Sequence, residues 1–115
     1  GAAGASYGIG GGGGGAGANA SASQSTTSNS PGAGVSNTFR DGSTSVEYGK
    51  GGQGGNPSLN YSTATNDGPA NSGRGGWGAQ NGNNDPGNGG SGILMIRYPD
   101  GTIDASGGTE ATYLL

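Results

Sequence analysis

Seven carboxylates are the groups in this sequence that could perform acid–base chemistry. Two carboxylates that flank a scissile bond are enough for glycoside hydrolysis. Most of the seven, however, stand directly before Gly or Pro, in the pairs Asp41-Gly42, Asp67-Gly68, Asp85-Pro86 and Asp100-Gly101. Such pairs are typical of turns. Turn formation explains these carboxylates better than catalysis does, so we predict no catalytic residues and no enzymatic activity.

The sequence contains no cysteine and no histidine. This excludes disulfides, thiolate zinc sites and Ser-His-Asp triads. Asn81, Asn83 and Asp85 alternate as calcium-loop ligands do, but Gly92 stands where such a loop needs a bidentate Glu. A polar, Asn-rich turn is the simpler interpretation, and we predict neither a metal nor a cofactor.

Two glycine-containing motifs raise phosphate or nucleic-acid binding as alternatives. Lys50 is followed by Gly51, whereas a phosphate loop has Ser or Thr at that place. Residues 73–77, GRGGW, resemble an RGG box, in which arginine and an aromatic ring stack on bases. The net charge of −3 opposes binding to a polyanion. We therefore predict no nucleic-acid partner.

Tyrosine and tryptophan are the side chains best suited to contact an external glycan or protein. Rigid amphipathic rings beside small hydrogen-bonding side chains are also what antibody loops use. On this basis the candidate receptor contacts are Asn60, Tyr61, Ser62, Thr63 and Trp77. Two simpler interpretations stay open: Tyr61 packs on its own domain, and Trp77 covers a face of the glycine-rich part.

The composition leaves little material for an ordinary hydrophobic core. Of 115 residues, 31 are glycine, and the large apolar types Val, Ile, Leu, Met and Phe supply only twelve. Ordering the backbone costs roughly 1–2 kcal/mol per residue, and burying a large apolar side chain returns only about 1.5–3 kcal/mol. Composition alone therefore favours disorder, but the net charge of −3 is small for a chain that is disordered by self-repulsion.

Lateral hydrogen bonding between glycine backbones is the force that remains. Glycine clusters in runs at 8–17, 49–55, 73–78 and 87–92. Such runs can adopt the polyproline II conformation, which has three residues per turn and directs every N–H and C=O outward. Without Cβ atoms these backbones can approach closely and bond to one another. We predict a stack of polyglycine II helices, joined by polar loops at 18–31, 56–72 and 79–86.

Two places have the pattern of β structure, and no α-helix is expected. Residues 35–48 read as a hairpin around Asp41-Gly42. Residues 93–98, ILMIRY, are apolar on both faces and end at Pro99-Asp100-Gly101, a turn sequence. We predict a strand at 93–98 that is buried on both faces and closes the stack.

The chain as a whole is thus expected to have little regular secondary structure. It divides into a glycine-rich polyglycine II domain, 1–100, and a C-terminal extension, 101–115. No apolar stretch approaches the roughly 18 residues of a membrane span, so no membrane insertion is expected. Because the chain begins with Gly1 and not with Met, we expect it to be a piece of a longer chain.

Two stretches also carry a resemblance. Residues 89–99 read GGSGILMIRYP, and residues 34–55 read GVSNTFRDGSTSVEYGKGGQGG. Both resemble segments of the glycine-rich proteins and tail-fibre adhesins of tailed bacteriophages, especially T4-like, marine and cyanobacterial phages. The first is similar to their GGSGIVIIRYP-like ending, and the second to an element that precedes their glycine runs.

The resemblance implies a polyglycine II sandwich at the tip of a virion fibre, whose exposed loops attach to the bacterial host. The partner would be a surface glycan or an outer-membrane protein. Other virion fibre subunits would also be partners, in a homotrimer or as a cap on a trimeric fibre. The implied location is the phage tail fibre, or otherwise outside the cell.

Two other functions are compatible with a glycine stack. The first is purely structural: a subunit of a virion fibre, a capsid decoration or an extracellular filament. The second is ice binding, which would require a regular tripeptide repeat and, in so small a protein, disulfides. The sequence has neither, so ice binding is the weaker alternative.

Overall fold

The structure is a computed structural model, and it describes residues 11–21, 30–55, 66–79 and 85–112. Its two strands are β1 (Val35–Asn37) and β2 (Val46–Tyr48), which pair antiparallel with Ser36 opposite Glu47. This confirms the hairpin expected near 35–48. The strands form only the ends of that hairpin, because each is three residues long.

The hairpin loop is built around the Asp41 carboxylate. Asp41 Oδ1 accepts hydrogen bonds from the backbone N–H groups of Ser43, at 3.0 Å, and Thr44, at 2.7 Å. Gly42 has a φ of 79°, a conformation that favours glycine. The Asp-Gly pair therefore does form the turn, although within residues 38–45 and not as a two-residue connection between strands.

Regular secondary structure is scarce in the rest of the described residues. Outside β1 and β2 they are turns, bends and irregular segments, and helical conformation is limited to the single residue Asn66. This agrees with the expected scarcity of regular elements. Within the described residues no helix is long and apolar enough to cross a membrane.

Six short segments form the body of the fold, and we call them together the glycine stack. They are segment A (11–18), segment B (30–34), segment C (49–55), segment D (66–69), segment E (73–79) and segment F (85–92). They are held to one another by backbone hydrogen bonds. The predicted run 8–17 falls partly on residues outside the described ranges.

Segments A, B and C bond to one another in a closed triangle. Gly13 N–H in segment A donates to Gly52 O in segment C at 2.9 Å. Gly51 N–H in segment C donates to Gly32 O in segment B at 3.0 Å, and Gly32 N–H donates back to Gly13 O at 2.9 Å. Each segment therefore satisfies amides of both of its neighbours.

Segments D, E and F repeat this arrangement. Trp77 N–H in segment E donates to Asn66 O in segment D at 2.9 Å, and Gly87 N–H in segment F donates to Trp77 O at 2.8 Å. Gly68 N–H in segment D donates to Asn88 O in segment F at 2.8 Å. The two triangles give the stack the same local design twice.

Segments C and E join the two triangles. Gly75 N–H donates to Lys50 O at 2.9 Å, and Gly78 N–H donates to Gln53 O at 2.8 Å. Both the donors and the acceptors are three residues apart. A period of three is that of the polyproline II conformation.

The interior of the described part consists of backbone. No hydrophobic side chain among the described residues is buried, and the fully buried side chain is that of Asn66. Four glycines are buried instead: Gly32, Gly51, Gly52 and Gly54. A Cβ added at Gly51 would overlap Gly13 O, and one added at Gly52 would overlap Gly76 O. Side chains are therefore excluded where the segments touch.

The strand predicted at 93–98 does not form, and its burial was wrong. These residues have no strand conformation, and Leu94 and Ile96 are 86% and 71% exposed. A strand requires a partner with unpaired backbone groups. In the described residues the hairpin strands pair with each other and the glycine segments bond among themselves, so residues 93–98 have no ladder to join.

The alternation of faces along 93–98 is nevertheless as expected. Met95 and Arg97 both face the hairpin. Tyr48 Oη donates to Met95 Sδ at 3.9 Å, and the Arg97 guanidinium lies 5.3 Å from the centre of the Phe39 ring. One face of the segment is thus packed while the other remains open.

The segment ends in the turn that the sequence predicts. Thr102 N–H donates to Pro99 O at 3.2 Å, and Gly101 has a φ of 74°. Residues 101–112 are exposed throughout. The chain bends back far enough for Tyr98 Oη to donate to Glu110 Oε1 at 3.1 Å.

Candidate functional site

The directions of the segments determine which connections lie together. Segments A and C run antiparallel, since Gly13 bonds to Gly52 and Ala16 N–H donates to Gly49 O at 2.9 Å. The start of segment A therefore lies beside the end of segment C. Segments C and E run parallel, as their bonds three residues apart require, so they end on the same side.

Residues next to the polar connections meet at that side. Ser30, the first residue of segment B, lies beside Gly12 and accepts a hydrogen bond from Ser21 N–H at 3.3 Å. Gly55 and Ala79, the last residues of segments C and E, are so close that a Cβ on Gly55 would overlap Ala79 O. These contacts bring three connections to one end of the stack.

The start of segments D and F completes this end, because Asn66 and Gly87 both bond to Trp77. We call it the loop end, and its residues are Ser21, Ser30, Gly55, Asn66, Ala79 and Asp85. They flank three segments outside the described residues: 22–29, 56–65 and 80–84. Each of these segments therefore leaves and re-enters the stack at the loop end.

The opposite end of the stack carries the hairpin, and we call it the hairpin end. Gly49 N–H donates there to Ser72 O, and Gly73 N–H donates to Ser91 O, both at 2.8 Å. β1, β2 and residues 93–98 all leave the stack at this end. The molecule thus has two chemically different ends.

The segments that leave from the loop end contain no charged residue. They read ASQSTTSN (22–29), NPSLNYSTAT (56–65) and QNGNN (80–84). Hydroxyls and amides dominate, with one tyrosine. Four of the predicted receptor contacts, Asn60, Tyr61, Ser62 and Thr63, lie outside the described residues and stay predictions.

Trp77 is the predicted contact that the structure describes, and it lies at the loop end. Its backbone N–H and C=O bond to Asn66 and Gly87, and its side chain is half-buried. The Arg74 guanidinium lies 6.0 Å from the centre of the indole ring. Trp77 therefore stands next to the anchors of two polar connections, and it is also part of the stack.

Asn66 is a residue that sequence reasoning missed. Its side chain is fully buried, and neither Oδ1 nor Nδ2 has a hydrogen-bond partner. A buried, unpaired polar group is costly, so its position beside Trp77 is a structural singularity of the loop end. The sequence placed Asn66 within a polar connection, and no local signal distinguishes it from its neighbours.

The turn carboxylates have structural partners. Asp67 Oδ1 accepts a hydrogen bond from Asn88 N–H at 2.6 Å, which ties segment D to segment F. No group of three acidic side chains that could hold a metal ion occurs among the described residues. Asn81 and Asn83, the other members of the calcium-loop pattern, lie outside the described ranges.

The shifted pKa values of the described part belong to the hairpin end. The side-chain bond with Thr44 and the N–H groups of Ser43 and Thr44 lower the pKa of Asp41 to about 2. The Gly34 N–H, at 3.0 Å, and Lys50, at 3.3 Å, lower the pKa of Glu47. Both carboxylates hold turns or segments in place.

An open groove of about 710 Å³ lies along segment C, between segments A and E. Its lining is glycine backbone with Lys50, Gln53 and Ala79. No carboxylate lines it. The groove therefore offers peptide groups and very few side chains to a ligand.

Comparison of the chain with models of known protein families, with curated proteins and with solved structures finds no match. The candidate site consequently rests on the arrangement of the molecule itself. That arrangement is a backbone-bonded stack with uncharged polar connections gathered at one end.

Proposed function

We propose that this chain is a non-enzymatic phage virion protein, the distal module of a tail fibre or adhesin. In it a stack of polyglycine II helices holds polar loops for attachment to the bacterial host surface. The observation that carries the proposal is the convergence of three uncharged polar segments at the loop end. The sequence resemblance to phage glycine-rich proteins supports the same assignment.

Polyglycine II helices fit the hydrogen bonds of the stack. Their three-residue period accounts for the pairs Gly75–Lys50 and Gly78–Gln53, and their outward amides account for segments that bond to two neighbours each. Because these bonds use backbone groups, the sequence of the connecting loops can change without altering the stack. A surface that must follow a changing receptor requires this independence.

The chemistry of the loops favours a surface glycan as the ligand. Serine, threonine, asparagine and glutamine match the donors and acceptors of carbohydrate hydroxyls, and Tyr61 and Trp77 provide flat rings against which a sugar can pack. No charge in 22–29, 56–65 or 80–84 would attract an ionic ligand. An outer-membrane protein remains the second class of receptor.

Adsorption of the purified chain to a panel of bacterial strains tests the proposal. We expect saturable binding to a narrow set of strains, and Tyr61→Ala should weaken it at least about tenfold if this ring is a central contact. Tyr98→Ala is the matched control, since Tyr98 lies at the hairpin end and its hydroxyl bonds to Glu110. That variant should adsorb like the unaltered chain.

Binding to no strain would contradict the adhesin role. It would favour the alternative, a purely structural subunit of a virion fibre, capsid decoration or extracellular filament. Equal losses in the Tyr61 and Tyr98 variants would show that the loop end is not the binding surface. Loss of adsorption after enzymatic removal of surface polysaccharide, but not after protease treatment of the cells, would assign the receptor to glycan.

A further inference from the structure

The hairpin end carries a concentrated apolar surface, which we call the apolar edge. Its residues, with their exposed fractions, are Val35 (49%), Phe39 (52%), Ile93 (46%), Leu94 (86%) and Ile96 (71%). Ile103, at 53%, is the other large hydrophobic residue exposed in the described part of the chain. Nearly all the exposed hydrophobicity of that part is therefore in one place.

Two contacts make the apolar edge a single surface. Met95 packs against Tyr48 of β2, and Arg97 lies over Phe39 of the hairpin loop. They hold one face of residues 93–98 against the hairpin. Leu94 and Ile96 then point away from it, as the two-residue period of an extended chain requires.

The backbone along this edge is also unpaired. The amides of residues 93–96 make no hydrogen bond with another described segment. Branched apolar residues in an extended segment with free N–H and C=O groups are a template for another strand. The edge has the side-chain alternation of a strand and lacks only the neighbour.

The exposed area is large for a protein that stays a monomer. Five large side chains, from half to nearly fully exposed, present on the order of 500 Å² of apolar surface, near the upper limit for the largest patch on a monomer. With the adjoining backbone this approaches the roughly 800 Å² that each partner buries in a standard interface.

We propose that the apolar edge binds a second copy of this chain, through antiparallel pairing of residues 93–98 with the same residues of the partner. A two-fold axis at Met95 places Leu94 of one copy opposite Ile96 of the other. Such a pairing joins identical free backbone edges.

The charges at the edge also fit a second copy. The only charged residue in 93–98 is Arg97, which is directed to Phe39 and away from the open face. The open face therefore needs no oppositely charged partner, and an identical apolar face is complementary to it. The pairing leaves both loop ends free, and it does not depend on what those ends bind.

Sedimentation equilibrium of the full chain over a wide range of concentration tests the proposal. We expect the mass of a dimer, and Leu94→Ser with Ile96→Ser should raise the dissociation constant at least about a hundredfold, because four apolar side chains per dimer lose their burial. Ile103→Ser is the matched control, since Ile103 is similarly exposed but lies outside the edge. It should leave the dissociation constant unchanged.

A single cysteine tests the register, because the natural chain has none. Met95→Cys should give a disulfide-linked dimer on mild oxidation, and Ile103→Cys should not. A monomer at all concentrations, a trimer, or equal cross-linking at both positions would overturn the proposal. If the chain stays a monomer but a different protein protects Leu94 and Ile96, the edge belongs to that protein and not to a second copy.

Discussion

The glycine stack and residues 93–98 are the two regions whose comparison explains this molecule. In the stack, glycines such as Gly51 and Gly52 are buried and their neighbours share backbone hydrogen bonds in both directions. In residues 93–98, the densest apolar run of the chain, Leu94 and Ile96 are exposed and their amides are unpaired among the described segments.

The difference teaches that burial in this chain follows backbone pairing and not side-chain hydrophobicity. Glycine loses more conformational entropy on folding than any other residue. That cost is offset only where the missing Cβ lets two peptide groups meet closely enough to bond. An apolar side chain near such a contact has no room, and it is displaced to the end of the stack.

A methyl group in the stack is expected to give the largest effect. Gly52→Ala places a Cβ against Gly76 O, which is backbone and cannot rotate away. We expect a loss of about 1–3 kcal/mol in the free energy of unfolding, or failure to fold. Denaturant unfolding measures it.

The control for this prediction lies in the same stack. A Cβ at Gly14 has no heavy atom within 4 Å, so Gly14→Ala should be neutral or stabilising by about 0.4–1 kcal/mol. Similar destabilisation by both substitutions would mean that close backbone contact is not what holds the stack.

Acid should affect the hairpin before it affects the stack. The hydrogen bonds with Thr44 and Ser43 lower the pKa of Asp41 from 3.8 to about 2. Because the folded pKa is depressed, this contribution is complete above the unfolded value and is lost as the pH falls from 3.8 toward 2. Exchange of the Thr44 amide proton should accelerate over that interval.

Asp41→Asn should remove this pH dependence while leaving the exchange of the Gly52 amide unchanged. If the Gly52 amide responds to acid over the same interval as Thr44, the hairpin and the stack unfold as one unit. The comparison between the two regions would then have to be drawn elsewhere.

The smallest effect is expected from the apolar run itself. Leu94→Ser with Ile96→Ser should change the free energy of unfolding by less than about 0.5 kcal/mol per site, because both side chains are exposed. The measurement must be made at concentrations where the chain is a monomer, since association adds to apparent stability. A loss comparable to that of Gly52→Ala would show that these residues belong to the core.

Local signals in the sequence identified the hairpin and its Asp41 turn correctly, because an Asp side chain and a glycine with positive φ act within a few residues. Composition likewise indicated that glycine backbone must replace the core. The two-residue period of 93–98 correctly gave its two faces. Whether either face would be covered could not be read from it, since that depends on unpaired backbone elsewhere in the fold.

The candidate site was predictable only in part. Amino-acid type alone selected Tyr61 and Trp77, but the gathering of three connections at the loop end depends on segment directions, which local patterns do not encode. The burial of the Asn66 amide depends on Trp77 and Gly87, which are more than ten residues away along the chain. Non-local packing of this kind has no signature in a single sequence.

The backbone interior has a consequence for behaviour on heating and cooling. Unfolding of an ordinary domain exposes apolar surface and raises the heat capacity by about 12–15 cal/mol/K per residue, whereas exposure of polar groups lowers it. Opening this interior would release mainly peptide groups to water. Its stability curve should therefore be unusually flat, with cold causing little of the weakening that it brings to proteins built on oil-like cores.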